Sequence, residues 1–308
     1  MADIMDIVNL SVDMAANSKK KFYESTPIKR KRRTKADMKA LQSSLYGILS
    51  DDHPQTVRGV FYQATILGII DKAENEYKAV QRNLADMRKA GDLPFDWIAD
   101  STRWMRKPRT YSGLEAALRS SWKFYRRSIW HDQTDYVEIW MEKDALAGVV
   151  YPVTEKWDVP LMVTRGYSSL SFLHESAEYI NLLDKPTYIY CLGDYDPSGV
   201  DISRNIEKGL RKFAPDAEIH FRRIAVTPVQ IETWDLPTRP TKKTDTRSKN
   251  FNGESVELDA IPARLLRALI KTHIEIHVRE ETLRKTKMAE DAERKTLENI
   301  YSEYRDVI

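Results

Sequence analysis

The chain has 308 residues, 42% of them hydrophobic and 31% charged, with 49 Lys and Arg against 46 Asp and Glu for a formal net charge of +3. That length suits two modest domains with real cores. Cys191 is the only cysteine, which excludes an internal disulfide framework, and no run of residues approaches a membrane span. The first residues lack the apolar segment of a signal peptide, so the expected setting is cytoplasmic: nucleoid-associated, or nuclear in a eukaryote.

Charge is unevenly placed. Residues 18–39 hold ten Lys and Arg against two acids, a surplus of eight that leaves about −5 for the rest. Residues 1–40 therefore read as a basic arm, flexible or partly helical. Its densest block, Lys29-Arg30-Lys31-Arg32-Arg33, is a candidate DNA contact, because such side chains release counterions on meeting a phosphate backbone. A solvated tail has the same composition.

Residues 41–130 read as a mainly helical domain. His53-Pro54-Gln55-Thr56 opens a helix running to about residue 67, in which Tyr62, Ile66, Ile69 and Ile70 recur at a spacing that suits core packing. A second helix covers 72–90, with Tyr77, Val80, Leu84 and Met87 as its apolar stripe and Gly91 as its stop. Lys78 and Arg82 lie off that stripe, placed to face phosphate. Leu93-Pro94-Phe95-Asp96-Trp97-Ile98 with Ser101-Thr102-Arg103-Trp104 suits a short wing, and helix, helix, wing is the winged-helix pattern of DNA readers. A plain helical bundle fits the same spacing. A basic, aromatic helix over 115–127 leads onward.

Residues 131–308 read as α/β with a helical extension. Tyr136-Val137-Glu138-Ile139-Trp140-Met141-Glu142 alternates, with Val137, Ile139 and Met141 on one face and Glu142 at its end. Lys143-Asp144-Ala145-Leu146 then opens a helix. A strand over 160–164 ends in Arg165-Gly166-Tyr167-Ser168-Ser169, ahead of a helix over 170–183. Thr187-Tyr188-Ile189-Tyr190 is a buried strand with Cys191 as a small apolar filler. It runs into Gly193-Asp194-Tyr195-Asp196-Pro197-Ser198-Gly199 and a helix over 200–213. Alternating strands and helices imply a parallel sheet. Glu142, Asp194 and Asp196 then emerge on one edge, where open α/β sheets place their chemistry.

Crowded carboxylates repel unless a cation neutralises them, and hard oxygen ligands suit magnesium, with manganese an alternative. Asp196 ahead of Pro197 also reads as an ordinary helix N-cap. The polar loop over 237–252 carries Arg239, Lys242, Lys243, Arg247 and Lys249 against Asp245, as a second phosphate-contacting surface or a linker. Residues 261–308 are mostly helical. His273 and His277 lack a third ligand there and read as surface or packing residues. No GxxxxGK[ST] loop is present, so no ATP site is expected in this chain.

Glu142-Lys143-Asp144-Ala145, Arg165-Gly166-Tyr167 and Gly193-Asp194-Tyr195-Asp196-Pro197-Ser198-Gly199 resemble successive motifs of the topoisomerase VI A-subunit family, to which the meiotic double-strand-break transesterase belongs. Glu254-Ser255-Val256-Glu257-Leu258-Asp259-Ala260 resembles that family's late Glu-rich segment, and Val57-Arg58-Gly59-Val60-Phe61-Tyr62 resembles its tyrosine motif, with Gly59 where the family usually has Asp. The resemblance implies an α/β Toprim domain, a Rossmann-like parallel sheet, preceded by a winged-helix domain that carries the catalytic tyrosine. It implies DNA cleavage with Tyr62 as nucleophile linked to a 5′ phosphate, and Arg58 as its phosphate partner. Magnesium would be held by Glu142, Asp194 and Asp196, with Glu142 also shuttling a proton and Arg165 among the DNA contacts. Its implied partners are double-stranded DNA, a second copy whose acids meet Tyr62 across the dimer, and a separate ATPase B-type subunit. The residues alone leave two alternatives open: a Toprim-type nuclease in which water attacks and Tyr62 is structural, and a non-catalytic DNA-binding accessory protein.

Overall fold

The computed structural model describes residues 33–99, 107–240, 251 and 253–307. Among them are ten α-helices and one four-stranded, all-parallel sheet. The expected α/β class is observed.

The helical region begins earlier than its charge suggests. Helix α1 spans Lys35–Asp51 and begins inside the expected arm, because Thr34 and Asp37 form a reciprocal capping box: Asp37 N donates to Thr34 Oγ1 at 3.2 Å and Thr34 N to Asp37 Oδ2 at 2.8 Å. Helix α2 spans Val57–Ile66, capped by Thr56, and α3 spans Glu74–Ala90. Gly91 ends α3 at φ 81°, a left-handed position that suits glycine. In the expected wing, Phe95–Trp97 is a 3-10 turn, and Ile98 forms a single parallel bridge to Gln55. Residues 101–104 lie outside the described residues. Helix α4, Leu114–Phe124, packs on the long C-terminal helix α10, Glu280–Val307, where Tyr125 donates to Glu293 at 2.6 Å.

The sheet comprises β1 (Tyr136–Met141), β2 (Leu161–Val163), β3 (Thr187–Leu192) and β4 (Ile219–Ala225), in the order β2-β1-β3-β4. Helices α5 (Ala147–Lys156), α6 (Leu170–Leu183) and α7 (Pro197–Phe213) connect successive strands. After β4 come the short α8 (Pro228–Thr233) and then α9 (Ala263–Glu275). From β1 the chain moves outward to β2, and from β3 it moves the other way to β4. The order therefore reverses between β1 and β3, and the carboxyl ends of that pair flank the crevice in which open sheets bind ligands.

Side-chain alternation splits the core. Val137, Ile139 and Met141 join a cluster with Leu192, with Leu266 and Ile270 of α9, and with Leu45, Val60 and Leu84 of the helical region. That cluster runs through residue 130 without a break. Trp140, Ile189 and Cys191 point to the other face, against Leu173 and Ile180 of α6 and Ile202 and Ile206 of α7. Cys191 is buried, as expected. His277 is buried rather than at the surface, hydrogen-bonded to Tyr190 Oη and Asp135 Oδ2 at 2.7 Å each. The helical spacing of 273 and 277 carries no sign of these partners on β3 and in the loop before β1.

Glu138 is the costly residue of β1. It is 1% exposed, and burial pushes its carboxyl up to about 7, while a 2.6 Å hydrogen bond from Trp140 Nε1 works in the other direction. A carboxyl raised on folding keeps its full stability below its unfolded pKa and loses stability as pH rises through the folded value. Glu138→Gln is therefore expected to stabilise the protein by on the order of 3 kcal/mol at about pH 8 and to change little at about pH 4. Urea unfolding at the two pH values checks this; equal effects at both would exclude the assigned cause.

Candidate functional site

The connection from β3 to α7 is tightly specified. Asp196 caps α7, its Oδ1 accepting from Gly199 N at 2.8 Å, with Pro197 in the first turn. The ordinary N-cap reading of Asp196 is therefore observed. A Cβ at Gly199 would sit 2.2 Å from the Asp194 carbonyl oxygen, so only glycine fits there. Arg223 of β4 binds the same loop from below. Its guanidinium donates to Gly193 O at 2.7 Å, to Asp194 O, to Gly199 O at 3.0 Å and to Ser203 Oγ at 2.7 Å. Burial holds this arginine below its ordinary pKa against the pull of nearby acids.

A second segment closes over the loop. Tyr195 and Val256 exchange backbone hydrogen bonds of 2.8 and 2.9 Å, and Arg239 and Ser255 exchange two of 2.8 Å. Residues 254–260 are thereby laid beside the end of β3, and Leu258 N donates to Asp194 Oδ1 at 2.8 Å. The 3-10 turn Leu258–Ala260 then packs on α2.

This packing assembles a buried ion cluster. Lys143, one residue past Glu142, lies 3.0 Å from Asp194 Oδ1, 2.8 Å from Asp259 Oδ2 and 3.7 Å from Glu257 Oε2. Burial opposes its charge, but Asp259, Asp194 and Glu257 together hold it above the usual lysine range. Glu257 also pairs with Arg58 at 2.7 Å and with Arg239 at 2.8 Å. Burial would raise its carboxyl, yet Lys143, Arg58 and Arg239 bring it below the ordinary range. Thr56, the cap of α2, donates to Asp259 Oδ1 at 2.8 Å.

Glu142 stands apart from these pairings. It is half-buried and makes no side-chain hydrogen bond or ion pair among the described residues. Burial, and then the charges of Asp194 and Asp196, raise its carboxyl. The three expected ligands are thus close enough to oppose one another's ionisation. Among the described residues, however, no three His, Cys, Asp or Glu side chains converge as a metal-holding group. The expected grip by Glu142, Asp194 and Asp196 is not formed, because Asp194 faces Lys143 and Leu258 N while Asp196 caps α7 and faces Arg239 at 3.5 Å. The donor chemistry still fits magnesium, which is held through one or two carboxylates plus substrate phosphates rather than in a closed cage.

Tyr62 is 5% exposed and belongs to the core, in keeping with the packing reading of its spacing. It also lines an open pocket with Arg58, Lys72, Tyr77, Arg239 and Glu257. Burial and Glu257 raise its phenol, against the opposing pull of Arg58, Lys143 and Arg239. Lys72 sits 5.5 Å from the ring centroid and donates to the carbonyls of Pro237 and Thr238.

The expected DNA contacts are more scattered. Lys29, Arg30, Lys31, Arg32, Lys242 and Lys243 lie outside the described residues. Arg33 pairs with Glu76, Lys78 with Glu74 at 3.9 Å, and Arg165 with Asp144 at 2.8 Å, while Arg82 donates to Lys78 O at 3.3 Å. Sequence reasoning missed Lys72 and Arg223 as site residues, and named Lys143, Glu257 and Asp259 only within motifs. A lysine directly after a strand-ending glutamate was the available signal for Lys143. The adjacent pair Arg222-Arg223 gave no indication of which one turns inward.

No protein-family model matches the chain, and no curated protein matches it in sequence.

The loop makes a sharp expectation. Alanine is ordinarily favoured over glycine in a helix by about 1 kcal/mol. At position 199 the clash is with backbone and cannot be relieved by a rotamer change. Gly199→Ala should therefore destabilise by about 1–3 kcal/mol, seen as a lowered midpoint in chemical unfolding. A neutral or stabilising result would mean that the close approach to Asp194 is absent.

Proposed function

We propose that the chain is a DNA-cleaving transesterase, resembling the A subunit of topoisomerase VI, with a Toprim-type α/β region and a winged-helix-type helical region. One observation carries the reading. Arg58 and Tyr62, one turn apart on α2, line a pocket with Lys72 and Arg239, and the Glu257 that holds both arginines belongs to the ion cluster at the carboxyl ends of β1 and β3. A nucleophile and three cations able to receive a phosphate therefore line one pocket, which Glu257 and Lys143 link to the carboxylates at the switch point of the sheet.

In this reading the Tyr62 phenolic oxygen attacks a backbone phosphorus. The bond to the 3′ oxygen breaks, leaving a 5′-phosphotyrosyl link, and the phenolic proton is passed on to the departing 3′ oxygen. The phosphate sits against Arg58, Lys72 and Arg239, whose charges offset the charge growing on it. Arg58, Lys143 and Arg239 also favour the ionised phenol. Glu142, raised by burial and by its acidic neighbours, is suited to accept and return the proton. Magnesium or manganese would be held by Glu142, with Asp194 and Asp196 joining only once they turn from Lys143 and Arg239, and would supply Lewis-acid stabilisation of the phosphate and the leaving oxygen. Two copies would cut the two strands of a duplex.

The burial of Tyr62 and its raised phenol favour one second reading, a metal-dependent nuclease in which water attacks and Tyr62 is structural. Incubation with supercoiled DNA and magnesium, followed by denaturation, separates the two. Under the transesterase reading the wild type leaves protein covalently on 5′ ends, and Tyr62→Phe loses cutting and adduct together, by about 100-fold or more. Cutting that survives in Tyr62→Phe without adduct selects the nuclease.

The resemblance implies that Tyr62 and the acids meet across a dimer. The pairing of Arg58 with Glu257 joins the tyrosine helix to the acidic cluster within one chain, which supports a site completed within one chain over one shared across a dimer. Mixing Tyr62→Phe with Glu142→Ala should restore no cleavage. Recovery of cleavage toward half of the wild-type level would show that the site crosses between subunits.

A further inference from the structure

One buried carboxylate holds both arginines of the pocket. Glu257 Oε2 accepts from Arg58 Nη1 at 2.7 Å, and Oε1 pairs with Arg239 Nη1 at 2.8 Å, so each oxygen serves a different guanidinium. The Glu257 side chain is 6% exposed, whereas those of Arg58 and Arg239 remain 40% and 35% exposed. All three line the pocket with Tyr62, Lys72 and Tyr77, the carboxylate as its buried part and the two guanidinium groups as its more exposed part. A guanidinium carries five N–H donors in a planar fork, so the bond to Glu257, and for Arg239 the longer 3.5 Å pairing with Asp196, leave donors on each arginine for a further anion.

Glu257 is itself firmly held. Val256 pairs with Tyr195, Leu258 N binds Asp194, and Lys143 lies 3.7 Å away. Arg58 is fixed on its other side by the Tyr77 ring, 4.9 Å from its guanidinium carbon. The residue after Arg58 is Gly59, which offers no side chain to orient it. A Cβ there would lie 3.3 Å from Thr56 Oγ1 and 4.0 Å from the Asp259 carbonyl oxygen, so a carboxylate at 59 would crowd the segment that brings Glu257 in. The group that orients Arg58 comes instead from 199 positions downstream.

We propose that Glu257 is a positioning residue that presents Arg58 and Arg239 as a pair to a single phosphate group of the DNA backbone beside Tyr62. This rests on the reading of the pocket as a phosphodiester site. Glu257 touches no reacting atom; it acts through the arginines. Its removal leaves two like charges facing each other with nothing to set their distance, and the pair no longer matches one phosphate.

A mutant cycle read in binding tests this without requiring cleavage. The affinity of the full chain for a short DNA duplex is measured by fluorescence anisotropy in EDTA, for wild type, Glu257→Gln, Arg58→Ala and the double variant, with Glu257→Asp as a variant that keeps the charge but shortens its reach. We expect Glu257→Gln to weaken binding at least tenfold in the wild-type background and less than twofold in the Arg58→Ala background, with Glu257→Asp in between. Where Glu257→Gln fails to fold, Glu257→Asp alone should show the same loss of effect once Arg58 is removed. Losses that multiply independently in either version overturn the proposal, as does unchanged binding by either folded Glu257 variant. A wild type that binds DNA and forms no adduct with magnesium removes the transesterase reading and leaves the cycle to decide the role of Glu257. A wild type that binds no duplex sinks both.

Discussion

A charge buried in this protein must find its counter-charge in another segment of the chain, and the architecture of the site follows from that requirement. Glu257 and Asp259 are 5% and 4% exposed, too buried to remain ionised alone. Their partners are Lys143 from the end of β1, Arg58 and Thr56 from the start of α2, and Arg239 from the stretch before 255. Stranding one member of such a buried pair typically costs about 3–5 kcal/mol. The helical region and the sheet therefore cannot part along this seam without leaving a carboxylate or an ammonium dry and unpaired. The apolar cluster running from Leu45 through Val60 to Val137 and Leu266 binds the same two regions without direction, and the ion cluster supplies the direction.

The turn from β3 into α7 shows how one piece of backbone chemistry serves two ends. Asp196 is a helix cap by hydrogen bond and a member of the acidic group by position. Gly199 allows the first turn of α7 to lie against the Asp194 carbonyl, and Arg223 gathers the carbonyls that this close turn exposes. The side-chain oxygens of Asp194 and Asp196 are consequently displayed at the edge of the sheet by groups that do no chemistry themselves. Engagement of Asp194 with Lys143 and of Asp196 with Arg239 leaves Glu142 as the carboxylate without a protein partner among the described residues.

Much of the fold was legible because local periodicity carries it. The alternation of Val137, Ile139 and Met141, the apolar run ending at Cys191 and the stripe of Val80, Leu84 and Met87 each report a face that one element buries. The helix over 170–183 was read with its observed bounds, since Ser169 caps it. The start of α1 was not read, because the density of basic residues masked the capping box at Thr34 and Asp37. The second identity of Tyr62 escaped periodicity altogether: a side chain can line a pocket and pack a core, and helical spacing sees the packing alone.

By itself, the sequence determined the parallel strand–helix alternation, the strand-ending acids Glu142 and Asp194, and the cap at Asp196, because each depends on neighbours a few residues away. Tertiary structure alone decided that Asp194 turns to Lys143 rather than toward Glu142 and Asp196, that Arg223 holds the loop, and that Glu257 joins Arg58 to Arg239. Those outcomes depend on which buried charges meet after residues nearly two hundred positions apart are packed together, and charge pairing over such separations leaves no period in the chain for a reader to find.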